Sequence, residues 1–532
     1  MHPDQSKNII EHDETSLGGG MVVSHILSSV HAVILIYLEE LAFYLVQLDE
    51  FGVSNEKIYA DLIQAFSELI SNVEYKQENI NKTISTIYED LYNTKKFYTT
   101  LCKKNDVAPS YLKSTIKISK TYNVADLITQ GQKFSVKIAN ALDDNQKKML
   151  EIMLILLKSI CIYIVELQGY KINFEEANKA FITMLSVMNF HALNTKILEE
   201  IIQKYTKLDY VLMLKVFDAR KAAFGDLAVT EVSTSTRPGK AILVCGSNLK
   251  ELEMILEATK DRGIDIYTHN RMIEAHVFPK FREYKHLIGY YGKGIQYFLS
   301  DFSFQGAIFL TKLSFHKIEQ LYRGRVFTTD TIAEAGVNII KNYDFEPLIQ
   351  SALSATGFTE VVEQESIELG IDEKSFMQKV NEVADKIDKK KIKYVFFVGV
   401  PNRTEVQKKY MDNFLDLLGD DCFAISFMPA KKRENIFFAS LAYTTPLVYL
   451  AMNVFMDRKS NEKAKLVVFY TRCEPHTIPS VYNMKDMGID EIYFTDCLPS
   501  FMTPASAEKI KEMMKLKSYT NPKKDFEDII RK

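Results

Sequence analysis

Through about the first 220 residues, apolar side chains recur at helical spacing. From Ser54, an N-cap residue with Glu56 in the first turn, Leu62, Phe66, Leu69 and Ile70 fall on one face. Asn173 opens a second stretch of this kind, carrying Phe181, Leu185 and Met188. The two stretches superpose at a shift of 119 residues, which puts Tyr44 on Tyr163, Val46 on Val165, Ser54 on Asn173, Leu62 on Phe181 and Phe66 on Leu185. The pattern predicts an internal duplication, two stacked three-helix bundles without chemistry of their own.

After the linker RPGK (237–240) the period changes. AILVC (241–245) reads as a buried strand, followed by a turn at Gly246-Ser247 and a helix through Leu249, Leu252 and Leu256. IDIYT (264–268), AIFLT (307–311) and VFTT (326–329) are further strands, and the alternation predicts a parallel α/β domain. It restarts at YVFFVGV (394–400) and continues through CFAISF (422–427), KLVVFY (465–470) and EIYF (491–494). The expected organisation is an arm over 1–20, a helical domain over 21–226, and two Rossmann-like α/β domains over 227–375 and 376–532.

Two apolar segments, 22–48 and 149–167, are long enough to raise the question of a membrane. The first holds two His and the pair Glu39-Glu40, and the second holds Glu151, Lys158 and Glu166. A span needs about 20 apolar residues with few charges, so both are expected as buried helices. The chain of 532 residues is 47% hydrophobic and 25% charged, an ordinary soluble composition. Its net charge of −3, from 66 basic and 69 acidic residues, gives no electrostatic case for nucleic acid or acidic lipid. The basic run KIDKKKIKY (386–394) reads as a solvated helix end. The acidic start lacks a basic n-region, and the six cysteines are dispersed without a CxxC. The expected location is the cytoplasm, with reduced thiols.

Ligand sites of doubly wound domains lie at the carboxyl ends of the strands. Five polar strand ends are expected to face one crevice: GSN (246–248), THNR (268–271), TKLS (311–314), VPNR (400–403) and FYTRCEPH (469–476). The last sets Cys473, Glu474 and His476 within four positions, all residue types that bind metals. His269 and His276, seven apart, are expected on one helix face. No GxGxxG, GxSxG or HExxH is present, and YYGKG (290–294) lacks the first glycine and the hydroxyl of a phosphate loop.

The segment KAILVCGSNLKELEMILEATKDRGIDIYTHNRMIEAHVFPKF (240–281) resembles the hybrid-cluster protein (prismane, hydroxylamine reductase) family, distant relatives of carbon monoxide dehydrogenases. The likeness continues through HLIGYYGKGIQ (286–296), RVFTTDTIAEAGV (325–337), KIKYVFFVGV (391–400) and MGIDEIYFTDCLPSFMTP (487–504). In the helical half it includes FGVSNEKIYADLIQAFSELISNVEY (51–75) and DARKAAFGDLAVTEV (218–232). The resemblance implies the fold above, hydroxylamine reduction as the activity, and two metal centres. One is a four-iron cluster held by four cysteines near the N-terminus, and the other an iron–sulfur–oxygen cluster held by one His, two Glu and four Cys.

Carried over motif by motif, the cluster His falls on Ser247 and one Glu on Arg271. The cysteines fall on Ser314, Pro401, Met428 and Thr444, and the other Glu falls on Glu474 with His476 two residues on. No cysteine precedes Cys102. The expectation is therefore a degenerate pseudoenzyme that binds no cofactor and acts as a binding or structural protein. Its partner is an unidentified protein or assembly, and homo-oligomers are left open. The alternatives are a hydroxylamine-reductase-type oxidoreductase, or a cluster-free pocket that takes a small anion on Arg271, Lys312 and Arg403. His269 and His476 are expected beside the pocket, and Arg271 and Glu474 are expected to pair across it, with Met428 filling the remainder.

Overall fold

The computed structural model describes every residue except 1–24, 71–76, 113–118, 121–122, 189–193, 293–300, 314–317, 319, 331–332, 334–335, 400–404, 428–432, 440–444, 458–462, 471–475, 490, 495–503 and 532. These described residues form two compact units, one of 21–212 with 328–339 and one of 213–327 with 340–532.

In the helical unit, α1 (His25–Glu50) is apolar on nearly every side and is buried accordingly, with Val33, Ile34, Leu38, Leu41 and Ala42 inaccessible. Its Ser29–Glu50 stretch is the one helix among the described residues long and apolar enough to cross a membrane, yet 72% of that window is buried within the protein. Next come α2 (Glu56–Glu68), α3 (Gln77–Lys104) and α4 (Val124–Ala141). The N-cap of α2 is Asn55, one residue after the expected Ser54, and its side chain accepts from the Ile58 amide at 3.2 Å. The second half comprises α5 (Asp144–Gly169), α6 (Glu175–Ser186) and α7 (Thr195–Phe224). A capping box opens α5: the Asp143 carboxylate accepts from the Gln146 amide at 2.8 Å, and Gln146 Oε1 accepts from the Asp143 amide at 3.0 Å.

The duplication is visible in the packing. α1 packs far more on α6 than on α2, and α2 packs on α5, so each half leans on the other. Phe66 and Phe181 meet edge-to-face at 5.0 Å where the halves touch, and the Cys161 thiol donates to the Ile63 carbonyl. α4 packs on α1 and has no counterpart in the second half.

The α/β unit opens with β1 (Thr230–Val232), β2 (Lys240–Cys245), α8 (Leu249–Thr259), β3 (Ile264–His269), β4 (Leu287–Tyr290), β5 (Ala307–Leu310) and β6 (Val326–Thr328). β7 (Ile367–Leu369) pairs antiparallel with β1. The first sheet runs in the order β4-β3-β2-β5-β6, with the two-residue strand Asn338–Ile339 beyond β6 at its edge. A second sheet contains β8 (Tyr394–Val398), β9 (Cys422–Ser426), β10 (Ile436–Phe438), β11 (Lys465–Tyr470), β12 (Glu491–Phe494) and β13 (Lys517–Ser518), in the order β10-β9-β8-β11-β12-β13. Its strand pairs are parallel, as are those of β3 with β4 and of β2 with β3 and β5. Their near-continuous apolar runs, such as the fully buried AILVC, are what a sheet covered on both faces requires. In each sheet the chain starts in the middle and winds outward both ways, so the order reverses between β2 and β5 and between β8 and β11. The fold is thus a helical bundle followed by two doubly wound parallel sheets, as the hydrophobic pattern predicts.

Candidate functional site

In the first sheet, β2 and β5 flank the point where the strand order reverses, the place where such folds bind ligands. β2 ends at Cys245, and Gly246, with φ at 116°, makes the turn that a side chain would strain. Asn248 caps α8, its Oδ1 accepting from the amides of Lys250 at 3.0 Å and Glu251 at 3.2 Å. β5 is laced to this turn through Thr311. Its amide donates to the Cys245 carbonyl at 3.0 Å, and its hydroxyl accepts from the amides of Ser247 at 3.2 Å and Asn248 at 3.4 Å. The buried Glu251 carboxylate takes the Lys312 amide at 2.7 Å. Leu313 then adopts a left-handed backbone, φ 55°, a costly conformation for a residue with a Cβ.

At the end of β3, His269 is fully buried. Its Nδ1 lies 2.6 Å from the Tyr291 carbonyl, which only accepts, so Nδ1 carries the proton. Nε2 faces Asp301 Oδ1 at 4.0 Å. The other carboxylate oxygen of Asp301 accepts from the Tyr322 hydroxyl at 3.1 Å. Arg325 braces the same corner by donating to the carbonyls of Asp301 (2.5 Å), Phe302 (3.0 Å), Phe304 (2.5 Å) and Gly306 (2.8 Å). Burial outweighs the charge of Asp301 and lowers the Arg325 pKa. Burial first, and the Asp301 charge second, push the Cys245 thiol well above its usual range.

Six of the residues singled out from the sequence are described. Ser247 sits half-buried in the β2 turn, and Arg271 sits half-buried in the first turn of the 3-10 helix Asn270–Val277. Lys312 carries its ammonium over the Tyr343 ring, 5.4 Å from the centroid. His476 occupies the N-cap position of the helix Thr477–Asp486 with a helical backbone and makes no side-chain cap. His269 and His276 do not share a helix face. The left-handed Asn270 ends β3 immediately after His269, and His276 Nε2 is bonded instead to the Thr268 hydroxyl at 2.9 Å. Burial holds His276 near pKa 4. Ser314, Pro401, Met428, Thr444, Glu474, Cys473 and Arg403 lie outside the described residues, and so do the five-ended crevice and the Arg271–Glu474 pair. Sequence reasoning missed Cys245 and Asp301. No motif marks Asp301, but the parallel register that sets Cys245 opposite His269 follows from aligning the two strands.

An iron–sulfur group is what the resemblance implies for this region. Ser247 offers a neutral hydroxyl and Arg271 a permanent cation where that resemblance expects an imidazole and a carboxylate, so neither fits as a donor to iron. Among the described residues, no three His, Cys, Asp or Glu side chains are grouped to hold a metal ion.

Comparison with known proteins bears directly on this site. The family model described as Prismane/CO dehydrogenase matches residues 57–427. A hydroxylamine reductase of Thermodesulfovibrio yellowstonii is 26% identical over 434 residues, covering 78% of this chain and 80% of the relative. A hydroxylamine reductase of Acidiphilium cryptum is 23% identical over 511 residues, covering 93% and 91%. A solved structure, titled as NiZn[Fe4S4] and NiNi[Fe4S4] clusters in alpha subunits of acetyl-CoA synthase/carbon monoxide dehydrogenase, aligns with a TM-score of 0.46 and 10% identity over 94% of this chain and 81% of that one.

The family match overturns the expectation that the chain takes no cofactor, because the matched family is built around iron–sulfur clusters. That expectation rested on side-chain identities at aligned positions, and five of those seven positions lie outside the described residues. A cluster in this chain would draw ligands from positions other than Ser247 and Arg271. The match spans well over half of the sequence, and the chain belongs to the Prismane/CO dehydrogenase family.

Proposed function

We propose that this family member works as a binding protein in the cytoplasm, acting through a protein partner rather than by reducing hydroxylamine. One observation carries the reading: the half-buried guanidinium of Arg271 stands at the end of β3, where the resemblance places a carboxylate on the metal. A guanidinium stays protonated at any working pH and has no lone pair to offer iron. Ser247, at the end of the neighbouring strand β2, removes a second donor in the same way. The test is reduction of hydroxylamine by protein loaded anaerobically with iron and sulfide, with iron content measured on the same sample. The expected rate is that of the reductant alone; turnover that rises with iron content would overturn the proposal.

The relatives' shared name supports a second reading, an oxidoreductase of the hydroxylamine reductase type. The same assay separates the two. The anion-binding alternative gains less, because the Lys312 ammonium is engaged with Tyr343.

A further inference from the structure

The helical unit carries a pair of acids that the site above does not use. The Thr83 hydroxyl of α3 donates to Glu68 Oε2 of α2 at 2.7 Å, which fixes the register of these two helices. Asp61 lies seven residues before Glu68, and Asp90 seven after Thr83. Seven residues are about two helical turns, and helices joined by a short connection run antiparallel, so this register brings Asp61 opposite Asp90. The two carboxyl groups are hydrogen-bonding neighbours there. Two ionised carboxylates only accept, so such a bond exists only while one of them keeps its proton. Among the described residues, no N–H or hydroxyl donates to the buried Asp90 Oδ2. Lys57, one turn before Asp61, pairs with Asp61 Oδ2 at 2.5 Å and acts on Asp90 only through space. Glu89, beside Asp90 on α3, adds negative charge and is itself paired with Lys120. Burial first, and the charge of Asp61 second, raise Asp90 to about 6 against the opposing charge of Lys57.

The duplication supplies an internal comparison. Its shift of 119 residues carries α3 onto α7, which sets Asp90 on Asp209 and Asp61 on Ala180 of α6. In the second half Asp209 takes the Ser159 hydroxyl, a donor at any pH, and the position matching Asp61 carries no charge. Only the first half sets an acid against an acid.

We propose that Asp61 and Asp90 form a proton-operated latch between α2 and α3, closed while they share one proton and pushed open by their repulsion once it leaves. An opened Asp90 returns to the ordinary Asp value of 3.8, so the proton's contribution to closure is complete below that pH. It is lost as pH rises through about 6, the value of the closed pair, and little of it remains at pH 7. The latch is independent of the strand-end pocket and of the function proposed above.

Hydrogen exchange of the full chain, read by mass spectrometry and corrected for the intrinsic pH dependence of exchange, tests the latch. Opening of α2 and α3 is expected to rise about fivefold from about pH 5 to about pH 7, the linkage being discounted for partial exposure of the pair. Asp90→Asn keeps a donor opposite Asp61 at every pH and should show no such rise. No rise in the wild type, or an equal rise in Asp90→Asn, overturns the proposal. Crystal structures at about pH 5 and about pH 8 decide without any variant. Carboxyl oxygens of Asp61 and Asp90 within about 2.7 Å in acid and apart at the higher pH support the latch. A gap beyond hydrogen-bond reach in acid, or the same close contact at both pH values, refutes it.

Discussion

Cys245 and His269 stand directly opposite each other at the ends of adjacent parallel strands, both fully buried, and the charge of Asp301 acts on both. Asp301 is the hub of this corner, since it also takes the Tyr322 hydroxyl. Asp301→Asn should destabilise the α/β unit by about 3 kcal/mol, because it removes a buried charge that two neighbours are arranged around. Urea denaturation followed by a signal from this unit measures the change. Alkylation of Cys245 in the wild type should proceed only as fast as the protein unfolds, because burial keeps it a thiol; rapid labelling of the native protein would contradict this.

Stability of the helical unit should fall as pH rises from about 6.5 to 8. Burial raises Glu39 to about 8, and it raises Asp209 to about 8 even though the Ser159 hydroxyl opposes it. In this window the folded protein holds protons that the unfolded chain has released, so each group takes away up to about 1.4 kcal/mol per pH unit. His31, lowered to about 3 by burial and by Lys158, acts in the opposite direction but only below its unfolded value of 6.5. Lys158, lowered to about 8 by burial, acts only above that value. Glu39→Gln should halve the slope of melting temperature against pH across the window. An unchanged slope would mean that Glu39 is already ionised.

Gly131 in α4 should not tolerate alanine. A Cβ there would stand 2.2 Å from the Ser29 carbonyl oxygen of α1, a backbone atom that cannot turn aside. The expected cost is about 2–3 kcal/mol as α4 is pushed off α1. Gly169, at the end of α5, has nothing within 4 Å, and Gly169→Ala should be neutral or slightly stabilising. Comparing the two melting curves isolates close packing from helix propensity.

Asn248→Ala should cost about 1 kcal/mol through loss of the α8 cap, and Asn248→Asp should restore it. Because the Asn248 amide also shares the Thr311 hydroxyl, exchange of the Ser247 and Lys312 amides should quicken in the alanine variant. Hydrogen exchange read residue by residue checks this, and unaltered protection at those amides would show that the cap and the β5 end are uncoupled.

Much of the architecture was legible because it depends on local periodicity. The helical duplication, the linker and the strands of both sheets follow from runs such as Ala241–Cys245 and Leu466–Tyr470, in which burial on both faces leaves no polar position. The N-cap of α2 shifted from Ser54 to Asn55 because both residues cap well and tertiary packing chooses between them. The site was less legible. His269 and His276 suggested a helix face because nothing in the sequence announces that Asn270 turns left-handed and begins a 3-10 segment. Asp301 has no signature, since its role arises where β3 and the residues around Tyr322 converge. The expectation of no cofactor failed for a different reason. It treated each aligned position as the sole source of a ligand, whereas a cluster takes donors from wherever the fold brings them.

The two halves of the duplicated unit share part of their interior, because α1 leans on α6 and α2 on α5. Such a unit is like a dimer whose subunits share one chain. A true dimer of identical subunits must place the same side chain at both equivalent positions, so a charge buried in one subunit is buried in both. Joining the halves releases that constraint. Glu39 and Lys158, an acid and a base, occupy matching positions, and both are buried. Fusion has allowed one interior to become two different ones.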